Sequence, residues 1–400
     1  MKIAIVTVIY KDTVEAFIRK HPAIHEYSYV EIKRLVDREI SIWASGWEDA
    51  LTPMGYEVFT IPINVPQLQY AWANEQNLQS RNLSVIAFHQ IKQFQPDILW
   101  YDYFDFSFLQ KIKSNVSSVR LVLGWSGSAI VDNHILREMN IVFSCAPETV
   151  QILSSQGIKA FHLHHAFNPT LLELIQPAQE HFPFVFIGQI VRGNSFHRER
   201  EALLTELAQQ FDLTIFSPSF NYGGKKMALM RLKKIIGKLL IPLVSIEKIK
   251  FKIETHNVLK EFLKFNNTQI VPYQRDLKKK MKPGVFGMEM LQILRNSEIV
   301  LNIHADSSPL YASNMRLFET TGVGACLLTD WKQNLHELYE IDTEIIAYKS
   351  KEECFEKVHW LLEHRTECKE IAVRGQKRVL KDHTYHTRAP ILHNVIRQNL

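Results

Sequence analysis

The chain predicts an α/β protein made of two doubly wound, parallel-sheet domains. Short apolar runs alternate with amphipathic stretches along most of its 400 residues, the pattern of repeated βα units whose strands are buried on both faces. The length exceeds one ordinary domain. The alternation pauses once, at Phe167-Asn168-Pro169 and the polar residues 176–181, before a new apolar run begins.

Strands are expected at residues 3–8, 57–61, 98–101, 120–123, 141–144 and 160–163, with helices such as 84–93 and 148–155 between them. These form a first domain, residues 1–170. A second, residues 182–384, opens with a strand at 182–187 and continues with strands at 211–216, 268–272, 298–301, 325–329 and 344–348. Helices at 351–364 and about 370–381 complete it, and the amphipathic residues 385–400 are expected to cross back to the first domain. The right-handed crossover rule puts the loops after the strands along one edge of each sheet.

Composition narrows the function classes. With 46% hydrophobic and 11% aromatic residues there is material for two packed cores, and the 22% charged fraction is ordinary. No apolar run approaches the roughly 20 residues of a membrane helix. The opening MKIAIVTVIYKD lacks a signal-peptide pattern and reads as a first strand, so a cytoplasmic protein is expected. Cys145, Cys326, Cys354 and Cys368 are scattered without zinc or redox spacing. A net charge of +5 is modest, and without a zinc-finger or RNA-recognition signature no nucleic-acid partner is expected.

The most informative segment is EIVLNIHADSSPLYASNMRLFETTGVGACLLTD, residues 298–330. It reads as strand, loop, short helix, glycine turn, strand. Asn302, His304 and Asp306 stand where the first strand emerges, and Arg316 and Glu319 are three apart on one helical face. Gly322 and Gly324 close the helix, and Asp330 ends the next strand. In open α/β sheets ligands bind beyond such strand ends, often against helix N-termini.

This run resembles the donor-binding part of group-1-type glycosyltransferases, in particular the CgeB-like spore-maturation branch. Asn302 and His304, Asn314, Arg316, Glu319, Gly322, Gly324 and Asp330 carry the likeness, which extends upstream to FVFIGQIVRGNSFHRER and downstream through Asn334, Leu335 and Leu338. The resemblance implies the GT-B architecture, two Rossmann-like domains facing each other across a cleft, with the second domain binding a nucleotide sugar. It also implies that Glu319 accepts hydrogen bonds from the ribose hydroxyls. Arg316 suits the diphosphate, because a guanidinium matches phosphate oxygens bidentately. The plainer alternative for both is a helical ion pair worth a few tenths of a kcal/mol. Asn314 is expected to cap the helix, and His304 to donate to a phosphate or sugar hydroxyl.

Gly188 ends the first strand of the second domain, where backbone approaches a ligand. His197 and Arg200 follow in an H-x-x-R pattern that also belongs to the CgeB-like resemblance and suits a diphosphate; the alternative is a solvated basic turn. Many retaining members of the group carry two glutamates with seven residues between them. Here the first position falls on Tyr311, which leaves inversion and retention both open. No D-x-D run suits a divalent ion, so neither metal nor other cofactor is expected. His162, His164 and His165 lack a completing ligand set and read as core or linker residues.

For the acceptor side, Asp12 after the first strand and Asp102 in LWYDYFDF are the candidate general bases. Each has a helix cap or loop turn as its alternative. Tyr101, Tyr103 and Phe104 are expected to give stacking surface, and Trp125-Ser126-Gly127-Ser128 to line the same side. Glu148 is accounted for by its helix dipole.

Residues 225–252 hold nine Lys or Arg and one acid, Glu247. Leu229, Leu232, Ile235, Ile236, Leu239 and Leu240 make a helical stripe with Arg231, Lys234 and Lys238 opposite, and Lys278-Lys279-Lys280 adds to the charge. Such a helix either lies in an anionic membrane interface on the inner face or packs its stripe on its own domain. The expected function is transfer of a sugar from a nucleotide-sugar donor to a glycan, lipid-linked or protein acceptor. The alternatives are a nucleotide-sugar epimerase on the same fold and a structural or coat protein without turnover.

Overall fold

The computed structural model describes residues 1–127, 134–176, 180–190, 199–221, 224–244, 272–304 and 308–400. Two six-stranded sheets, parallel at every described pairing, define two lobes. The first holds β1 (Lys2–Thr7), β2 (Glu57–Pro62), β3 (Ile98–Tyr101), β4 (Leu121–Trp125), β5 (Ile141–Ser144) and β6 (Ala160–His162), in the order β2-β1-β3-β4-β5-β6. Its central strands are apolar at successive positions because helices cover both faces. One face packs Trp47, Trp100 and Phe143, the other Phe88, Tyr101 and Leu109.

The second lobe holds β7 (Phe182–Ile187), β8 (Leu213–Ser217), β9 (Met281–Pro283), β10 (Ser297–Asn302), β11 (Cys326–Asp330) and β12 (Ile346–Tyr348), in the order β12-β11-β10-β7-β8-β9. The strand expected at 268–272 falls at 268–271 outside the described residues. The edge place beside β8 is taken by β9, with Ile215 opposite Met281 and Ser217 opposite Pro283. A three-residue strand ending in proline is tolerated only at an edge. Strand order reverses between β1 and β3 in the first sheet and between β7 and β10 in the second.

The lobes are joined through the chain around Phe167 and Thr384. The Phe167 amide donates to the His383 carbonyl at 2.9 Å, and Phe167 bridges Thr384 in parallel. Thr384 and Thr387 then form a capping box that starts helix Tyr385–Arg397. That helix lies on helix Ile42–Leu51 of the first lobe, with Tyr385, Ala389, Leu392 and Ile396 inside the first lobe's core. Gly322 has no room for a side chain, since a Cβ there would lie 2.5 Å from the Phe167 ring. Gly287, at φ +55°, brings the second lobe so close to the first that a Cβ would stand 2.1 Å from the Glu39 carbonyl oxygen. All four cysteines are buried and free.

Candidate active site

In the second lobe the reversal point is bridged by one side chain. Arg200, buried on the first turn of helix Arg200–Gln210, donates to the carbonyls of Gln189 and Ile303, at the ends of β7 and β10, and its guanidinium lies 5.4 Å from the Phe186 ring centroid. Arg200, expected to hold diphosphate, thus has its guanidinium committed to the carbonyls of the two loops at the strand-order reversal. At Gly188 the space of a Cβ is filled by the Phe186 ring at 2.9 Å, so packing within the lobe accounts for the glycine. His197 and Asp306 lie outside the described residues.

At the end of β10 a polar network replaces the apolar run. The Asn302 side-chain amide donates to Thr329 Oγ1 at 2.9 Å, and that of Asn314 donates to Asn302 Oδ1 at 2.6 Å. The expected cap is therefore corrected. Helix Arg316–Gly322 begins after Met315, no side chain caps it, and the Asn314 amide is committed to β10 instead. His304 is buried, and both its backbone amide and its Nδ1 meet Asp330 Oδ1, at 2.9 and 2.7 Å. Lys332 Nζ lies 3.2 Å from the other Asp330 oxygen. Burial alone would raise the Asp330 carboxyl, but the charge and hydrogen bonds of His304, with Lys332 beside it, hold it well below the usual carboxylate range. His304 Nε2 and Asn314 Oδ1 remain buried with no partner among the described residues. A buried unpaired polar atom costs about 1–3 kcal/mol, and these two lie beside the same strand end.

One turn onward, Arg316 Nη1 donates to Glu319 Oε2 at 2.8 Å and lies 3.1 Å from Met290 Sδ. Their helix faces the first lobe. Phe318 stands 6.4 Å from His164, Gly322 abuts Phe167, and the Glu319 charge reinforces the burial that pushes the Tyr385 hydroxyl up. Both members of the pair are largely shielded, their side chains 17% and 15% exposed.

Sequence reasoning missed a link between the lobes. Glu148, on the first turn of helix Pro147–Ser155, accepts at Oε1 from the backbone amides of Leu310 and Tyr311 at 3.0 and 3.1 Å. Its Oε2 lies 3.1 Å from Ser308 Oγ. A first-lobe carboxylate thus reaches Tyr311, the position where the second domain lacks a glutamate. The same loop is tied to its own lobe by Lys332 Nζ on the Pro309 carbonyl, 2.9 Å, and by the Ala312 amide on Asn334 Oδ1, 2.7 Å. Only the acid on a first helical turn was visible in sequence, and that has an adequate local explanation.

In the first lobe Asp102 directly follows β3, at the reversal beside β1, with its amide on the Val6 carbonyl at 2.8 Å. Burial pushes its carboxyl up to about 7, against a hydrogen bond from Thr7. Asp12 is exposed on the first turn of helix Lys11–Lys20, where dipole compensation accounts for it. Tyr101 is corrected as a stacking surface. It is fully buried, and its hydroxyl donates to the Asp105 carbonyl at 2.7 Å, whereas Phe104 is exposed. The three linker histidines are internal. His162 Nε2 lies 3.2 Å from the Cys145 carbonyl oxygen, His164 packs edge-on to His162 at 4.2 Å, and His165 stands 5.0 Å from Trp125. Among the described residues no group of metal-ligating side chains comes together.

Comparisons with known proteins agree with the fold. Residues 240–394 match the family model described as glycosyl transferase-like. No curated protein matches the chain. Solved structures similar across the chain include sucrose-phosphate synthase from Thermosynechococcus elongatus, at 12% identity and a TM-score of 0.54, covering 100% of this chain and 98% of that one. A glycosyltransferase from Rickettsia africae matches at 9% identity and a TM-score of 0.53, with the same coverages of 100% and 98%. An alpha-glucosyltransferase in complex with UDP-glucose and DNA containing an abasic site matches at 12% identity and a TM-score of 0.56, covering 99% of both chains. The chain accordingly has the GT-B fold, and the match of residues 240–394 to the glycosyl transferase-like model falls mostly in its second lobe.

Proposed function

We propose that the protein transfers a sugar from a nucleotide-sugar donor to an acceptor hydroxyl on a glycan, a lipid-linked oligosaccharide or a protein. The observation that carries this is the Arg316–Glu319 pair on the interlobe helix, one loop away from the unpaired atoms of His304 and Asn314. Glu319 has the two acceptor oxygens a ribose diol needs. On binding, Arg316 exchanges its carboxylate partner for diphosphate oxygens, and His304 Nε2 and Asn314 Oδ1 meet polar groups of the donor. In the reaction the acceptor oxygen bonds to the anomeric carbon as the bond to the diphosphate breaks. The leaving diphosphate keeps the electron pair, and Asp102 takes the acceptor proton. Because side-chain cations stabilise the leaving group, the step is proposed to need no divalent ion, and transfer should survive EDTA. UDP is the first base to test, since a solved structure of similar fold holds UDP-glucose.

A thermal-shift screen against UDP, GDP, CMP and dTDP identifies the base, because a ligand that binds only the folded state raises its stability. Calorimetry on Glu319→Gln should then show nucleotide affinity about tenfold weaker or more, the loss expected for hydrogen bonds to a charged group. Unchanged affinity refutes the assignment, and a chain stabilised by no nucleotide would return it to the coat-protein reading. A lipid-linked acceptor would bring the enzyme to the inner face of a membrane.

A further inference from the structure

The transfer reaction leaves one element unused, the helix Gly224–Val244 of the second lobe. Its sequence has six Lys or Arg (Lys225, Lys226, Arg231, Lys233, Lys234, Lys238) and no acid. The stripe does not pack on its own lobe throughout. Leu229, Leu232, Ile235 and Leu239 are 53%, 53%, 56% and 69% exposed, whereas Met227 and Gly237 on the opposite side are buried. At about 100° per residue these three leucines and one isoleucine fall in one row. Arg231 and Lys238, both exposed, run along one border of that row, and the half-buried Lys233 lies on the other. Among the described residues no helix is long and apolar enough to cross a membrane.

We propose that this row docks on an anionic lipid surface, the aliphatic side chains entering the boundary between headgroups and acyl chains and the flanking cations meeting lipid phosphates. Four neighbouring exposed aliphatics on one helix face need a cover, and the charge selects which. A second copy of the chain would set the same cations against each other, whereas an anionic bilayer satisfies both the apolar row and its basic borders. The expected Lys278–Lys280 extension contributes less than its sequence suggests. Lys278 turns onto the Phe220 carbonyl and ring and Lys280 pairs with Asp212 at 2.9 Å, leaving Lys279 exposed. The purpose of docking rests on the transferase reading with a lipid-linked acceptor; the physics of docking does not.

The test is flotation of the full chain with phosphatidylcholine vesicles, alone or containing phosphatidylglycerol, at low and high salt. Binding to the anionic vesicles only, weakened by salt, is expected. Arg231→Gln with Lys238→Gln should weaken partition about tenfold or more, and Leu232→Ser with Ile235→Ser should abolish it. Unchanged far-ultraviolet circular dichroism and an unchanged ligand-free Tm in both variants show that they are folded, so the flotation result stands whether or not the chain binds a nucleotide. Absence of flotation with anionic vesicles, equal binding to neutral ones, binding retained by the apolar variant, or a dimer by light scattering that the apolar variant dissolves would each overturn the proposal.

Discussion

A carboxyl group held near neutrality is costly and useful for the same reason. Asp102 sits at the carboxyl end of β3, and burial raises it to about 7. The folded chain therefore binds its proton more tightly than the unfolded one does. Its stability is full below the ordinary carboxylate value of about 4 and declines as the pH rises toward 7. Asp102→Asn removes that cost and should raise Tm by a few degrees at pH 8, about 1–2 kcal/mol, with no gain at pH 4. The same change should lower transfer about 10²–10⁴-fold, since a general base contributes that much, and the wild-type rate should climb with pH through about 7. A variant that gains stability while losing rate is the mark of a residue strained for function. Loss of rate without the stability gain would mean that Asp102 merely supports the loop. Asp330 behaves in the opposite sense. It is drawn down by His304 and Lys332, so its contribution is present above the ordinary carboxylate value and is lost only in acid.

At the scale of elements, the loop 308–315 decides how the two halves of the site meet. It hangs between Glu148 of the first lobe and Lys332 and Asn334 of the second, and it leads straight into the helix bearing Arg316 and Glu319. Glu148→Ala should therefore raise the donor KM about tenfold to a hundredfold, as expected for the loss of hydrogen bonds to a charged group, with a smaller effect on kcat. Small-angle scattering should show a larger radius of gyration. A variant with unchanged KM and unchanged scattering would reduce Glu148 to a helix-dipole residue. Strands such as β3 and β7 were legible in sequence because a doubly covered strand needs an unbroken apolar run, and residues 98–101 and 182–187 supply one. β9 was not legible, because Met-Lys-Pro follows three lysines and pairs only at an edge. Placement of the candidate site past β10 rests on the strand-loop-helix pattern, and the structure has that strand, loop and helix there. The partners of Asn314, Glu148 and Asp330 did not, because each is set by tertiary contacts with no local period. Asn314 in particular looks like a cap from sequence, yet it bonds 12 residues back to Asn302.

For the whole molecule, the joint between lobes is built from neutral imidazoles. His383 Nδ1 accepts from Arg388 Nη2 at 2.6 Å while its Nε2 donates to the Leu338 carbonyl at 2.8 Å, so both ring nitrogens are committed in the neutral form. Protonation would set an N–H against the guanidinium. Burial, then the charge of Arg388, pushes His383 down to about 4; burial takes His165 to about 4; and burial with neighbouring His162 takes His164 to about 2. In each case the unfolded chain accepts protons, at the ordinary value of 6.5, that the folded one refuses. Stability should be flat above that value and fall as the pH drops toward 4, by up to about 1.4 kcal/mol per pH unit for each group. Thermal melts from pH 8 to pH 5 measure the slope, and His383→Gln should flatten it by one group's share. Because the His383 carbonyl also accepts from the Phe167 amide at the crossing between lobes, the loss should appear first as separation of the lobes. Scattering at pH 5 would then show an expanded particle while the far-ultraviolet circular dichroism still reports intact sheets and helices. A melt unchanged between pH 7.5 and pH 5, with no expansion, would mean that these histidines are protonated in the folded chain and that the joint is held some other way.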